Sequence, residues 1–221
     1  MLITFTNRHG GVSQGVYSSL NLGDHVGDDA ADVLRNRAVV TAIHGPVQFM
    51  NQVHGNRIAV IEEIAEKAPT ADALVTGIPG ITLAVMVADC IPLLLNSKEV
   101  VAAVHVGRRG LVNGVAIKTI ELMREMGAQD ISATVGPAIC GRCYEVSADI
   151  HQEVVSIFPM ADSRTNLGSL ALDLPKALIA DLHNAGIDVD ANQGACTAED
   201  SDLFSYRRDG VTGRQAGLVR L

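Results

Sequence analysis

Apolar residues in this chain fall into short blocks with two distinct periods. Between residues 47 and 106 they form runs broken by Gly, Pro, Asn or Asp: VQFMNQVH, RIAVIEE, ADALVT, ITLAVMVA, PLLLN and VVAAVHV. Such runs predict strands, and ISATVGPAI predicts another. Elsewhere the spacing is helical. In GLVNGVAIKTIELMREMG, Leu111, Val115, Leu122 and Met126 share a face with Val112 and Thr119. That predicts one continuous helix, closed by Gly127. AADVLRNRAVVTAI follows Asp28 and Asp29, either of which can cap a helix. SADIHQEVVSIF and LDLPKALIADLHNAG predict two more, with Ser147 and Asp173 as caps and Pro175 in a first turn. The segment SDLFSYRRDGVTGRQAGLVRL predicts a final strand and hairpin, with the turn at RRDGVTG. The first 30 residues are rich in Gly, Asn, Ser and Asp, yet Val12, Val16, Tyr17, Leu20 and Leu22 anchor them as ordered loop and short strands. Strands outnumber helices and the two are interleaved. The expectation is an α+β or mixed α/β chain with a central mixed sheet and helices outside. No repeat or linker divides it, so residues 1–221 read as one domain.

Composition narrows the function classes. Hydrophobic residues make up 48% of the chain and aromatics only 3%, with no Trp, so Ala, Val, Ile and Leu must build the core. A net charge of -8 argues against a nucleic-acid or membrane-surface partner. The longest apolar stretch, residues 81–95, is interrupted by Asp89 and Pro92 and falls short of the roughly 18 residues that span a bilayer. The N-terminus lacks a basic leader and a long apolar segment, which points to the cytoplasm and to reduced cysteines. Four Cys in a chain this long do not make a disulfide scaffold.

Three segments then share a pattern of apolar strand, polar residues, and Gly or Pro: NQVHGNR with His54, VADCIP with Cys90, and AVHVGRRG with His105. Pro92 marks where strand pairing stops. Two imidazoles and a thiol suit zinc, and three protein ligands leave the open position of a catalytic site. Spacings of 36 and 15 residues are not a local zinc signature, so two other readings stay open. One is a buried Cys with two hydrogen-bonded core histidines; the other is a Cys90 nucleophile with His105 as its base. The same three residues also suit copper, which outcompetes zinc at such sites. Arg108 and Arg109, in a loop bounded by Gly107 and Gly110 ahead of a helix, form a candidate anion site. Arg8, Arg207 and Arg208 sit in other Gly-rich loops of an acidic chain and join them as candidate phosphate ligands. Asp89 is either a partner of the Cys90 site or a proton carrier. His9 reads as a residue near a ligand and His25 as a loop hydrogen-bonder. CGRC at 140–143 reads as two loop thiols and Cys196 as structural.

FTNRHGGVSQGVYSSLNLGDHVGDD, NQVHG, ADALVT, VMVADCIPLLL, AAVHVGRRGLVNGV, GPAICGRCYEV and DLFSYRRDGVTGR together resemble the YfiH-like family, also called the polyphenol-oxidase or laccase-domain family. The resemblance runs in order from about residue 4 to the end. It implies layered mixed sheets flanked by helices, a fold shared with cysteine deamidases of the cytotoxic necrotizing factor type. It implies zinc on His54, Cys90 and His105, and phosphorolysis of adenosine, inosine and methylthioadenosine with adenosine deamination as a side activity. Its partners would be a nucleoside and phosphate, on a monomer or small homo-oligomer. Peptidoglycan-precursor editing by a cysteine or zinc amidase is the alternative that travels with the family. The laccase label ranks last, because seven His cannot readily supply a multicopper centre. In the family's HAGWRG motif, Val106 here replaces Ala and Arg108 replaces Trp, while Arg109 matches. Cys143 matches the family pattern and Cys140 replaces a small residue.

Overall fold

The computed structural model describes residues 1–221. The chain begins with β1 (Leu2–Phe5), a long loop with one 3-10 turn, and α1 (Ala30–His44). Next come β2 (Val47–Gln48), β3 (Ile58–Val60), β4 (Ala73–Thr76), β5 (Thr82–Val87), β6 (Ile91–Asn96) and β7 (Val101–Val106). Then follow α2 (Arg108–Val112), α3 (Val115–Glu125), β8 (Ser132–Val135) and α4 (Ala148–Ile157). The last elements are β9 (Asp162–Arg164), β10 (Leu170–Leu172), α5 (Leu174–Asn184), β11 (Asp188–Asp190), α6 (Tyr206–Asp209) and β12 (Gln215–Arg220). No helix is long and apolar enough to cross a membrane.

Alternation along the central strands explains the layering. β1, β12, β5 and β2 form one sheet in that order; β11, β8, β6, β7, β4 and β3 form a second. Both mix parallel and antiparallel pairs. Leu83, Val85 and Val87 of β5 point to the second sheet, where they meet Leu74, Leu94, Val101 and Ala103. The intervening residues Ala84 and Met86 pack with Val40 of α1 and with Leu20 and Leu22. On the second sheet, Leu93, Leu95, Ala102 and Val104 face away from the first and pack under Leu111, Ile120, Leu178 and Leu182 of the helices. The result is four layers: helix, sheet, sheet, helices. Strands buried on both faces read as unbroken apolar runs, which is why 81–95 looks so uniform. The mixed architecture of sheets flanked by helices matches the sequence expectation.

Three local expectations are corrected. The single helix expected over 110–127 is two, because Gly114 takes a left-handed φ of 69° and restarts the chain as α3. VQFMNQVH is a strand only at Val47–Gln48; beyond it Asn51 makes a lone bridge and residues 53–55 turn inward on Asp72. The C-terminal segment is not a hairpin. Ser205 accepts from the Arg208 amide and caps α6, and β12 pairs with β1 and β5. Asp29 and Asp173 cap α1 and α5 as expected; Ser147 precedes α4 without a side-chain cap bond.

One buried polar residue ties the N-terminal loop to this frame. Asn36 of α1 is fully buried; its Oδ1 accepts from the Val12 amide at 2.8 Å. Its Nδ2 donates to Ser13 Oγ and to the carbonyls of Ser19 and Asn21, all within 3.0 Å. Asn36→Ala strands these groups in a dry site and should cost about 3 kcal/mol. Denaturant unfolding checks the loss, and hydrogen exchange of amides 12–28 should accelerate with it; a change below about 1 kcal/mol would refute the latch.

Candidate metal centre

The site forms where the chain crosses from one sheet to the other. β5 belongs to the first sheet and β6 to the second, so Ala88, Asp89 and Cys90 make the corner. The break in strand pairing therefore lies at 88–90, and Pro92 is inside β6, opposite His105. Asp89 has φ 99°, a conformation costly for a residue with a Cβ. Its own groups hold it there. The carboxylate accepts from Thr197 Oγ1 at 2.6 Å, Ser205 Oγ at 2.7 Å and the Arg207 amide at 2.6 Å. Its carbonyl accepts from the Ile139 amide at 2.9 Å. Asp89 thus fixes the corner and aims Cys90 into the space between the sheets.

His105 arrives from β7 by strand parity. Val101 and Ala103 face the inter-sheet layer, so His105 does too, and it is only 3% exposed. His54 arrives from the turn after β2, at a left-handed φ of 58°. Asp72, fully buried ahead of β4, sets both. Its carboxylate accepts from the amides of His54 at 2.9 Å and Gly55 at 2.7 Å, and from His105 Nδ1 at 2.9 Å. That leaves His105 Nε2 free to face Cys90. The ligand atoms of His54, Cys90 and His105 lie within 4.8 Å of one another, with Cys90 Sγ 3.8 Å from His54 Nε2. The two imidazoles meet edge to face, with centroids 4.7 Å apart. A Cβ at Gly107 would sit 3.0 Å from the His54 ring and 3.1 Å from Cys90 Sγ, so a larger residue there would press on both donors.

Charge follows geometry. Burial pushes the Cys90 thiol up, but the charge of His105 and hydrogen bonds from both histidines outweigh it and bring it down to about 6. Burial likewise opposes an imidazolium at His105, yet the Cys90 thiolate and Asp72 raise it to about 9. Without a metal the site is a thiolate beside an imidazolium. Two imidazoles and a low-pKa thiolate, converging from a turn, a strand and the corner between the sheets, are the donor set of a metal centre, with a carboxylate orienting one histidine from behind.

A cavity of about 400 Å³ opens above the three donors. Asp89 and Arg207 line it, as do Gln52, Tyr144, Tyr206 and Arg214, which no sequence signal singled out. Arg207 stacks on Tyr144, 5.0 Å from ring centre, and donates to the Glu145 carbonyl. Burial pulls the Arg214 guanidinium below its usual value, offset by the Cys90 and Asp89 charges. The other expected anion ligands lie elsewhere. Arg8 stacks over Phe204 and donates to the Ser18 carbonyl. Arg208 spends its guanidinium on the carbonyls of Thr197, Asp200 and Leu203 and on Asp209. Arg108 and Arg109 are in the first turn of α2 and not in a loop before it; Arg108 pairs with Glu153 and Arg109 is exposed, outside the cavity. His25 lines the cavity, whereas His9 pairs with Asp202 at the surface.

In chelator-treated protein, Cys90 should alkylate first, with a rate that is half-maximal near pH 6 and falls below it as the thiolate is protonated. Iodoacetamide kinetics with peptide mapping reads this directly. A midpoint in the ordinary thiol range of about 8.5 would exclude the ion pair.

Comparison with known proteins agrees with this architecture. Residues 2–221 match the family model described as multi-copper polyphenol oxidoreductase laccase. The chain is 45% identical to a Corynebacterium glutamicum protein named purine nucleoside phosphorylase, over 98% of this chain and 93% of the relative. It is 44% identical to a Streptomyces coelicolor protein of the same name, over 98% and 94%. Among solved structures, Neisseria meningitidis protein NMB0706 superposes with a TM-score of 0.89 at 39% identity, covering 98% of this chain and 92% of that one. The Bacillus licheniformis hypothetical protein YfiH gives 0.87 at 29% identity, covering 99% and 92%. By sequence over nearly its full length and by fold, the chain belongs to the YfiH-like family, the family whose model carries the polyphenol oxidoreductase laccase description.

Proposed function

We propose that the protein is a zinc-dependent purine nucleoside phosphorylase acting on adenosine, inosine and methylthioadenosine, with adenosine deamination as a side activity. The observation that carries the reading is one cavity holding both halves of the chemistry. His54, Cys90 and His105 form its floor, and Arg207 and Arg214 stand on its wall. The name borne by relatives at 44 to 45% identity supports it.

In phosphorolysis a phosphate oxygen bonds to C1′ of the ribose while the bond from C1′ to the purine nitrogen breaks, and its electron pair leaves with the base. Two guanidiniums bind and neutralise the phosphate, and Arg207 is held in place by Tyr144 and the Glu145 carbonyl. Tyr144 and Tyr206 offer ring faces to the nucleoside. Asp89 positions: three donors engage its carboxylate, so it holds Cys90 and the Arg207 backbone in register. His54, Cys90 and His105 would hold the zinc, which would supply Lewis acidity at the cavity floor. Asp72 keeps His105 in the tautomer that presents Nε2.

A second reading has its own observation. Cys90 at about 6, His105 at about 9 and Asp72 behind it line up as nucleophile, base and orienting carboxylate. That arrangement suits a metal-free cysteine amidase.

Zinc-loaded protein should convert adenosine to adenine and ribose 1-phosphate only when phosphate is present. Arg214→Ala should raise the phosphate KM by about 10- to 100-fold, the worth of a charged hydrogen bond. Product identification by chromatography checks both. Turnover that ignores phosphate and survives chelation sinks the phosphorylase; amide hydrolysis by chelated protein that vanishes in Cys90→Ala establishes the alternative. Asp72→Asn should lower zinc affinity by about 10- to 100-fold, read by competition with a chromogenic chelator.

A further inference from the structure

A second cluster of soft ligands lies outside the cavity. Two segments meet on the far side of the Asp89 corner: 138–144, after β8, and 195–200, ahead of α6. They run parallel through a bridge between Ala138 and Cys196, with the Ala138 amide on the Ala195 carbonyl at 3.0 Å and the Thr197 amide on the Ala138 carbonyl at 3.2 Å. Each then folds into the same turn. The Cys143 and Tyr144 amides both donate to the Cys140 carbonyl, at 3.0 and 3.1 Å. The Glu199 and Asp200 amides both donate to the Cys196 carbonyl, at 3.1 and 2.9 Å. The result is two facing knuckles, CGRC and CTAE, each presenting a ligand at its first and fourth residue.

The four ligand atoms, three Sγ and one carboxylate oxygen, lie within 4.8 Å of one another. A regular tetrahedron of sulfurs about zinc, at about 2.3 Å per bond, has edges of about 3.8 Å. Cys143 Sγ already stands 3.6 Å from Glu199 Oε1, and the Cys140 amide points at Cys196 Sγ from 3.4 Å. All three thiols are free. A disulfide would use two sulfurs and leave the third and the carboxylate idle, whereas one tetrahedral ion uses all four. Arg142 approaches Glu199 at 3.6 Å but is well exposed and can swing clear.

We propose that Cys140, Cys143, Cys196 and Glu199 form a second, structural metal site for a thiophilic divalent cation, zinc foremost. Four protein ligands close the coordination shell, so this ion does no chemistry. It staples the two knuckles together. Thr197, next to Cys196, donates to Asp89, and Tyr144, next to Cys143, lines the cavity beneath Arg207. The staple therefore holds one wall of the active cavity from outside.

The two sites are separable by mutation. Reduced wild-type protein reconstituted with Zn2+ should hold about two equivalents, and Cys90→Ser about one. Co2+-loaded Cys90→Ser should show a thiolate-to-metal charge-transfer band about three times as intense as that of a one-thiolate site. Added to Cys90→Ser, Cys196→Ser should abolish that band, and Glu199→Gln, which keeps every sulfur, should keep it with weakened affinity. Reduced Cys90→Ser that binds no Co2+, or that forms a disulfide among these cysteines even under reductant, overturns the proposal. If the cavity site instead fails to hold metal, wild type binds a single equivalent that Cys90→Ser retains, so the two failures are distinguishable.

Discussion

The site depends on one buried carboxylate. Asp72 has no exposed surface, and an ionised carboxylate is tolerated in such a place only when its lone pairs are filled. Here consecutive amides and one imidazole fill them. Burial pushes the Asp72 acid up, but the hydrogen bond from His105 and those from the Gly55 and His54 amides hold it below the usual carboxylate value. The same contacts do structural work in two directions. They bend the chain at His54 into a left-handed conformation that an L-residue otherwise resists, and they fix which nitrogen of His105 faces the cavity. Remove that charge and two of the three donors lose their orientation together.

The third donor is controlled from the opposite side. Cys90 leaves the first sheet and enters the second in the space of three residues, and Asp89 holds that corner against an unfavourable φ. Its partners come from residues 139, 197, 205 and 207, all far along the chain. The cavity is therefore completed only when the C-terminal half has folded over the corner. Strain at Asp89 and His54 sits at the two points that aim ligands, where a rigid surround can sustain it.

Much of the frame was legible because strands buried on both faces carry a strong apolar signal. Five of the six central runs fold as strands near their expected bounds, the caps at Asp29 and Asp173 hold, and the donors His54, Cys90 and His105 stand out as interruptions of that signal. What stayed hidden shares a physical reason: its meaning lies in contacts distant in sequence. Asp72 looks like any strand-leading Asp in ADALVT, and its partners come from two other segments. Arg214 follows a turn and becomes a cavity residue only because β12 inserts between β1 and β5. Arg208, by contrast, looked like a free cation and is consumed by three carbonyls. The cysteines of CGRC looked idle because their partner knuckle lies more than 50 residues downstream in the sequence.

The placement of ligands also weighs the oxidase description carried by the family model. A multicopper centre needs many imidazoles converging on neighbouring ions. Of the seven histidines, only His54 and His105 converge with another soft donor. His9, His25 and His151 are each paired with an aspartate, and His44 and His183 lie in the last turns of helices. The other ligand cluster is made of thiols and a carboxylate and contains no histidine. Two small, separate ligand sets cannot pass electrons through a shared copper cluster to dioxygen. One set lies on the cavity floor and the other behind its wall. The corner at Asp89 is the joint between them: it holds Cys90 on one side and meets the second cluster through Thr197 on the other.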